Sequence, residues 1–237
     1  MVAEGNEAGA LADAPRAGAT GSPMNAKVVT NAVVTQKIHV SPELIVLRVA
    51  PDGWELPDFT PGQCGVLGLP GTAPRVPRAD AEEPLKKPEK LIMRAYSIAS
   101  SSRAKEYLEF YINLVLSGQL TPRLFQLERG ERVFLGKKIT GMFTLEQVPE
   151  DKHLVMLATG TGLAPYMSML RTSFRCGGER KFVIIHGARH SWDLGYRAEL
   201  TAMARMCGNM EYITTITRPE EELVPWSGEI GYAQDLW

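Results

Sequence analysis

The stretch Leu91-Ile92-Met93-Arg94-Ala95-Tyr96-Ser97-Ile98 reads as a β-strand in which four apolar positions have been given over to chemistry. Alternate side chains of a strand share a face. Arg94 and Tyr96 therefore project to one side, with Ser97 opposite and its backbone open to the same site. A cation for phosphate, a flat ring for stacking and a short hydrogen-bonding group together suit a bulky, anionic, planar ligand. A flavin dinucleotide has all three properties. An ordinary amphipathic strand with a surface arginine also fits these four residues, so the neighbouring chain must decide.

Around this strand, from Ala26 to about Val148, short β-rich runs alternate with turn signals. Val28 to Val40, Glu43 to Ala50, Gln63 to Leu69, Tyr107 to Val115 and Arg132 to Lys138 are the runs. Pro51-Asp52-Gly53 and Thr60-Pro61-Gly62 are strong turns. Pro70 to Lys90 carries five prolines and many charges and reads as a solvated loop. Evenly spaced short strands predict a small closed antiparallel barrel or sandwich. One helix interrupts them, with Thr121 as its N-cap, Pro122 in its first turn and Gly130 closing it.

Beyond Pro149 the texture changes. His153 to Thr159, Lys181 to Gly187 and Glu211 to Thr217 are buried-type strands. Leu163, Tyr166, Met167 and Leu170 fall at helical spacing between the first two. Tyr196, Leu200, Met203 and Cys207 do so between the second and third. This β-α-β-α-β order predicts a doubly wound parallel sheet. The expected domains are therefore 24–148, a β-barrel, and 149–237, an α/β domain. Only three parallel strands are visible, and Gln234 to Trp237 reads as the start of another helix, so the second domain is expected to be incomplete at its C-terminus.

Net charge is −1 over 237 residues, with 44% hydrophobic and 22% charged residues. No global field draws the chain to nucleic acid or to a membrane. Residues 1–23 lack the basic start and apolar core of a signal peptide and read as a disordered tail or an early start codon. No run approaches the roughly 20 apolar residues that span a bilayer. Cys64, Cys176 and Cys207 stand far apart without a CxxC. That argues against a metal site and against a disulfide framework, and it fits a reducing cytoplasm.

Two further motifs support an anionic ligand. Gly118-Gln119-Leu120-Thr121-Pro122-Arg123-Leu124 is a glycine turn into a helix, whose first free N–H groups and positive dipole end favour an anion. Thr159-Gly160-Thr161-Gly162-Leu163-Ala164-Pro165 follows a buried strand and opens a helix, the context a dinucleotide-binding turn requires. Pro165 stands where the third glycine of G-x-G-x-x-G would be.

Taken together and in this order, the Arg94, Gly118 and Thr159 motifs resemble those of the bacterial ferredoxin–NADP reductases, over about Asn31 to Trp237. The resemblance implies an FAD-binding antiparallel Greek-key barrel and an NADP-binding α/β domain. It implies a flavoprotein oxidoreductase that moves electrons between NADP(H) and ferredoxin or flavodoxin. By position, Arg94 would pair with the FAD pyrophosphate, with Ala95 beside it. Tyr96 would stack on the isoalloxazine, and Ser97 would hydrogen-bond near N5, making these two the residues at the reacting end. Tyr111, Ile112 and Asn113 match a stretch beside the flavin, and Gln119, Leu120 and Thr121 the pyrophosphate-binding helix start. Thr161 matches a threonine between flavin and nicotinamide, flanked by Gly160 and Gly162. Arg189, Thr217 and Arg218 match contacts to the adenosine 2′-phosphate.

Two departures accompany the resemblance. Gly228-Glu229-Ile230 stands where many relatives carry G-R-[IL], which opens the site to NAD(H). The family's cysteine–glycine segment and terminal segment would lie beyond Trp237. A same-scaffold reductase feeding an oxygenase or dehydrogenase with NADH, and a non-catalytic FAD-binding module, are the alternatives. The partner expected from the resemblance is docked through basic residues such as Arg132, Lys137 and Lys138, and the chain is expected to be a cytoplasmic monomer. The remaining candidates read as structural: His39, His153, His186 and His190 lack ligand spacing, Cys64 is a core thiol, Trp54 and Trp192 are packing residues, and Glu82-Glu83 with Lys86-Lys87 form a solvated face.

Overall fold

The computed structural model describes residues 30–236, so the tail at 1–23 lies outside it. Six strands come first: β1 (Ala32–Ser41), β2 (Leu44–Pro51), β3 (Cys64–Pro70), β4 (Leu91–Ser97), β5 (Leu108–Asn113) and β6 (Arg132–Leu135). They form one antiparallel sheet in the order β4-β3-β6-β1-β2-β5. Its two ends meet through an Ile98–Phe110 bridge and an Ala99 N–H to Glu109 carbonyl bond of 2.8 Å, so the sheet closes on itself. Closure removes both open edges. Its interior is filled by alternate residues such as Val34, Ile45, Leu47, Leu67, Phe110 and Leu135. Helix α1 (Thr121–Gln126) lies between β5 and β6 and adds Leu124 and Phe125 to that core.

Two local readings change here. The residue before α1 is Leu120, not Thr121; the Thr121 hydroxyl instead accepts from the Val115 N–H at 3.0 Å and ties down the preceding turn. The helix ends at Gln126, and Gly130 (φ +93°) serves the turn that follows. The proline-rich segment before β4 is also not a free loop. Arg123, only 3% exposed, donates twice to Glu82 (2.6 and 3.0 Å) and once to the Gly71 carbonyl (2.6 Å). Arg75 reaches the Leu116 and Gly118 carbonyls, each at 3.2 Å. A guanidinium among apolar helix residues needs a carboxylate, and Glu82 supplies it.

The second sheet is parallel: β7 (Leu154–Thr159), β8 (Phe182–Ala188), β9 (Met210–Ile216) and β10 (Glu229–Ile230), in the order β10-β9-β8-β7. It has four strands where three were expected, because Glu229 and Ile230 pair with Thr215 and Ile216. A single 3-10 turn (Gly160–Leu163) leads into α2 (Ala164–Ser173), and α3 (Arg197–Met206) joins β8 to β9. Both helices pack on one face, over Leu154, Met156, Phe182, Ile184 and Met210. Right-handed crossovers that step the same way from β7 to β9 must land on the same side. The other face leaves Val155 and Leu157 exposed on the edge strand and receives the short turn Ala233–Leu236 against Gly187. That 3-10 turn replaces the helix start expected at Gln234.

Cys176 and Cys207 form a disulfide with Cα atoms 5.0 Å apart, joining the turn after α2 to the residue that ends α3. This overturns the reading against a disulfide and removes the cysteine argument for a reducing compartment. Their 31-residue separation hid the pairing; two helices packed side by side bring their ends together. No helix among the described residues is long and apolar enough to cross a membrane.

Candidate functional site

The site is built where the segment after β4 meets α2. One residue beyond Ser97, three successive residues are bonded to that helix. Arg171 Nη1 donates to the Ala99 carbonyl at 2.9 Å, Ser168 Oγ to the Ser100 carbonyl at 2.7 Å, and Ser101 Oγ meets Thr172 Oγ1 at 3.1 Å. Ala99 and Leu163 share one buried apolar cluster. The segment after the Arg94 strand is thereby fastened to the later part of α2, while the glycine turn that opens the helix packs against β5.

Arg94 and Ala95 are exposed on β4, and the guanidinium bonds only the neighbouring Met93 carbonyl (2.8 Å); no carboxylate neutralises it among the described residues. Tyr96 is half-buried, set edge-on to Phe110 at 6.4 Å, and burial pushes its phenol up to about 12, against a smaller opposing effect of Arg94. It stays a neutral aromatic plate at any working pH. Ser97 pairs with Cys64 across the ladder, and the two side chains meet at 3.6 Å. Cys64 is thus partly exposed beside the site rather than sealed in the core.

At the turn, Gly160 has φ +49°, and a Cβ added to Gly160 or Gly162 would meet nothing within 4 Å. A positive φ favours glycine, and the open space beside both residues lets a ligand approach the backbone. Thr161 lies between them, partly exposed. On the other flank, Gln119 is exposed, Leu120 is buried and Thr121 is spent on Val115. The free guanidinium, the aromatic plate and the bare glycine backbone fit an anionic, planar dinucleotide.

Tyr111, Ile112 and Asn113 behave differently from one another. Ile112 is core, and Asn113 is exposed at the strand end. Tyr111 is buried with its hydroxyl turned to the second sheet: it donates to the Asp193 carbonyl and accepts from the Gly195 N–H, both at 3.2 Å. Any side chain at Gly195 would run into that phenol.

Next to it lies a network that composition and spacing did not reveal. Glu109, 1% exposed on β5, accepts from Arg48 (2.6 Å), Arg171 (2.6 Å) and the Tyr196 hydroxyl (2.9 Å). Arg171 also holds Glu199 of α3 through two bonds of 2.8 and 2.6 Å. Tyr196 sits at φ +60°, a conformation disfavoured for a bulky side chain, and is retained by Glu109 and by an edge contact with Tyr111 at 5.2 Å. The available signal was a lone carboxylate inside the apolar run Leu108 to Ile112.

The carboxyl edge of the parallel sheet gathers the other predicted residues. Thr217 N–H bonds the Ala188 carbonyl (3.1 Å) and Arg218 N–H the Arg189 carbonyl (3.0 Å), which sets Arg189, Thr217 and Arg218 side by side. Ligands of open α/β sheets bind at this edge. Trp192 is not a packing residue: it is 40% exposed and stacks on His190 at 4.4 Å. His186, by contrast, is fully buried, and burial lowers its pKa to about 4, so it is neutral. Its Nδ1 meets the Tyr212 hydroxyl at 3.0 Å.

A closed antiparallel barrel followed by a parallel sheet, with a glycine turn opening the first helix of the second part, is the architecture that joins a flavin-type barrel to an NAD-binding domain. The Oxidoreductase NAD-binding domain family matches residues 156–236. The flavodoxin/ferredoxin–NADP reductase of Buchnera aphidicola subsp. Baizongia pistaciae is 38% identical over 145 residues, 61% of this chain and 58% of that protein. The ferredoxin–NADP reductase of Azotobacter vinelandii is 42% identical over 110 residues, 46% of this chain and 42% of its own. The solved ferredoxin NADP+ reductase of Neisseria gonorrhoeae, with bound FAD and NADP, superposes with a TM-score of 0.64 at 25% identity, covering 85% of this chain and 72% of that one. The chain is similar to the bacterial ferredoxin– and flavodoxin–NADP reductases over the parts that these matches cover. It spans about half the length of the curated relatives it matches.

Proposed function

We propose that this chain is an FAD-dependent reductase that moves electrons between NADP(H) and ferredoxin or flavodoxin, with a domain boundary near Pro149. The observation that carries the reading is the three-residue clamp from Ala99, Ser100 and Ser101 to α2, which fastens the segment after the Arg94 strand to the helix that the Gly160 turn opens. When bound, FAD would supply the chemistry, taking two electrons as one hydride and releasing them one at a time.

The chain's own residues bind and orient. Arg94 offers a fork of donors to a pyrophosphate. Tyr96 presents an apolar plate, and Ser97 a hydroxyl held by Cys64. Gly160 and Gly162 let the backbone come close to a second dinucleotide, and Thr161 lies where the two would meet. No dedicated acid or base is required. For the protein partner, Lys137 and Lys138 are exposed cations, whereas Arg132 is already tied to Asp52 at 2.7 Å and contributes less.

The purified chain, loaded with FAD and desalted, should retain a yellow flavin and reduce a dye with NADPH. Retained flavin without dinucleotide-dependent reduction would leave only a flavin-binding module, and loss of flavin would reject the reading altogether.

A further inference from the structure

The loops that follow β8 and β9 hold a carboxylate where a guanidinium and an imidazole converge. Glu221 ends the 3-10 turn Pro219–Glu221. Its Oε1 accepts from Arg218 Nη1 at 2.8 Å, and its Oε2 lies 2.7 Å from His190 Nε2. His190 Nδ1 is 3.2 Å from Asp193, which orients the ring. Glu222, next in sequence, does something separate: it accepts from the Ser191 N–H (2.7 Å) and hydroxyl (2.6 Å) and pins the two loops together. Arg189 is exposed and makes no side-chain hydrogen bond or ion pair among the described residues.

We propose that Glu221 is a specificity-determining residue, an internal counter-anion that occupies Arg218 and His190 and thereby narrows the margin by which NADP(H) is taken in preference to NAD(H). The inference rests on the dinucleotide reading given above and concerns which dinucleotide is taken. A carboxylate bridging a guanidinium and an imidazole makes the same charge-assisted bonds that phosphoryl oxygens would make. A 2′-phosphate must therefore displace Glu221 and forfeit both bonds, or bind beside it against like charge. A 2′-hydroxyl meets neither obstacle, since it can donate to a carboxylate. Glu229 on β10 is exposed and adds a second negative charge at this edge of the sheet, paired in register with Thr215. Arg189 alone is left free for a phosphate.

The test compares 2′,5′-ADP with 5′-AMP, which differ by the 2′-phosphate alone, by calorimetric titration of the FAD-loaded chain. Glu221→Gln should raise the affinity ratio of 2′,5′-ADP to 5′-AMP about tenfold; charge-assisted bonds of this kind are worth more when buried, and half-exposed groups are screened. Glu222→Gln, which loosens the same loops without freeing Arg218, should move the ratio less than about twofold. An unchanged or lower ratio in Glu221→Gln, with both nucleotides still bound, overturns the inference and leaves the dinucleotide reading intact. Equal gains in the two variants also overturn it, since general loop charge would then be responsible. If neither nucleotide binds any variant while FAD is retained, the dinucleotide reading fails and the inference with it.

Discussion

Arg171 of α2 donates to Glu109 of β5 at 2.6 Å, an ion pair that fastens the parallel-sheet half of the chain to the barrel. Glu109 is sealed from solvent, while Arg171 continues to Glu199 on α3. Removing one partner of a buried pair costs more than the pair contributes, because the remaining charge is stranded. Arg171→Met should lower stability by about 3 kcal/mol in urea unfolding. Arg48 and Tyr196 would still solvate the carboxylate in part.

The same pair has a defined response to acid. Burial pushes the Glu109 carboxyl up, but the Arg171 charge and the bonds from Arg171, Arg48 and Tyr196 outweigh it and hold its pKa below the ordinary value. A lowered carboxylate pKa gives a contribution that is complete above the ordinary carboxylate range and is lost as pH falls through the lowered value. The stability gap between wild type and Arg171→Met should be full at neutral pH and close only in acid. A gap that widens on acidification would contradict this.

His190 titrates in the opposite sense. Its partial burial lowers the pKa, yet hydrogen bonds to Glu221 and Asp193 prevail and raise it above the ordinary 6.5. A raised histidine pKa stabilises fully below 6.5 and progressively less as pH climbs through the folded value. Amide exchange at Ser191 and Arg218, corrected for intrinsic rates, should accelerate as pH rises past that value. In Glu221→Gln, an NMR titration should find the His190 pKa lowered.

The Cys176–Cys207 bridge closes a loop across the ends of α2 and α3. Its loss should reduce stability by roughly 2–4 kcal/mol. Peptide mapping without reductant should recover the two cysteines linked, and Cys176→Ser should match the reduced wild type in unfolding midpoint. Equal midpoints for oxidised and reduced wild type would show that the bridge contributes nothing.

Arg94 is predicted to hold FAD through its pyrophosphate. Arg94→Ala should weaken flavin retention by about 30- to 100-fold, the worth of one bidentate charge-assisted contact. The fold should be unaffected, because the side chain is exposed and bonds only the Met93 carbonyl. Flavin titration followed by fluorescence quenching reads this directly, and an unchanged Kd would remove Arg94 from the site.

Most elements were legible as periodicity, because alternation and helical spacing are local properties. The strands of Glu43 to Ala50, Leu91 to Ile98 and Lys181 to Gly187 lie within a residue or two of β2, β4 and β8. The glycines at 160 and 162 also announced their turn, since positive φ and open backbone have a residue type of their own. What escaped were features whose meaning depends on a distant partner. Glu82 and Arg123 each look like surface charges until the loop folds over α1. Trp192 looks like core until its stacking on His190 is seen.

The sequence by itself determined the order of elements, the change of texture near Pro149 and the strand on which Arg94, Tyr96 and Ser97 are displayed. Tertiary structure alone decided how those pieces become a site: that α2 is clamped to the residues after Ser97, that Glu109 joins Arg171 from 62 positions away, and that Glu221 claims Arg218 and His190. The reason is physical. Periodicity is imposed by a chain's own backbone geometry, whereas burial and charge pairing are properties of the space between segments, which exists only once the chain has closed around it.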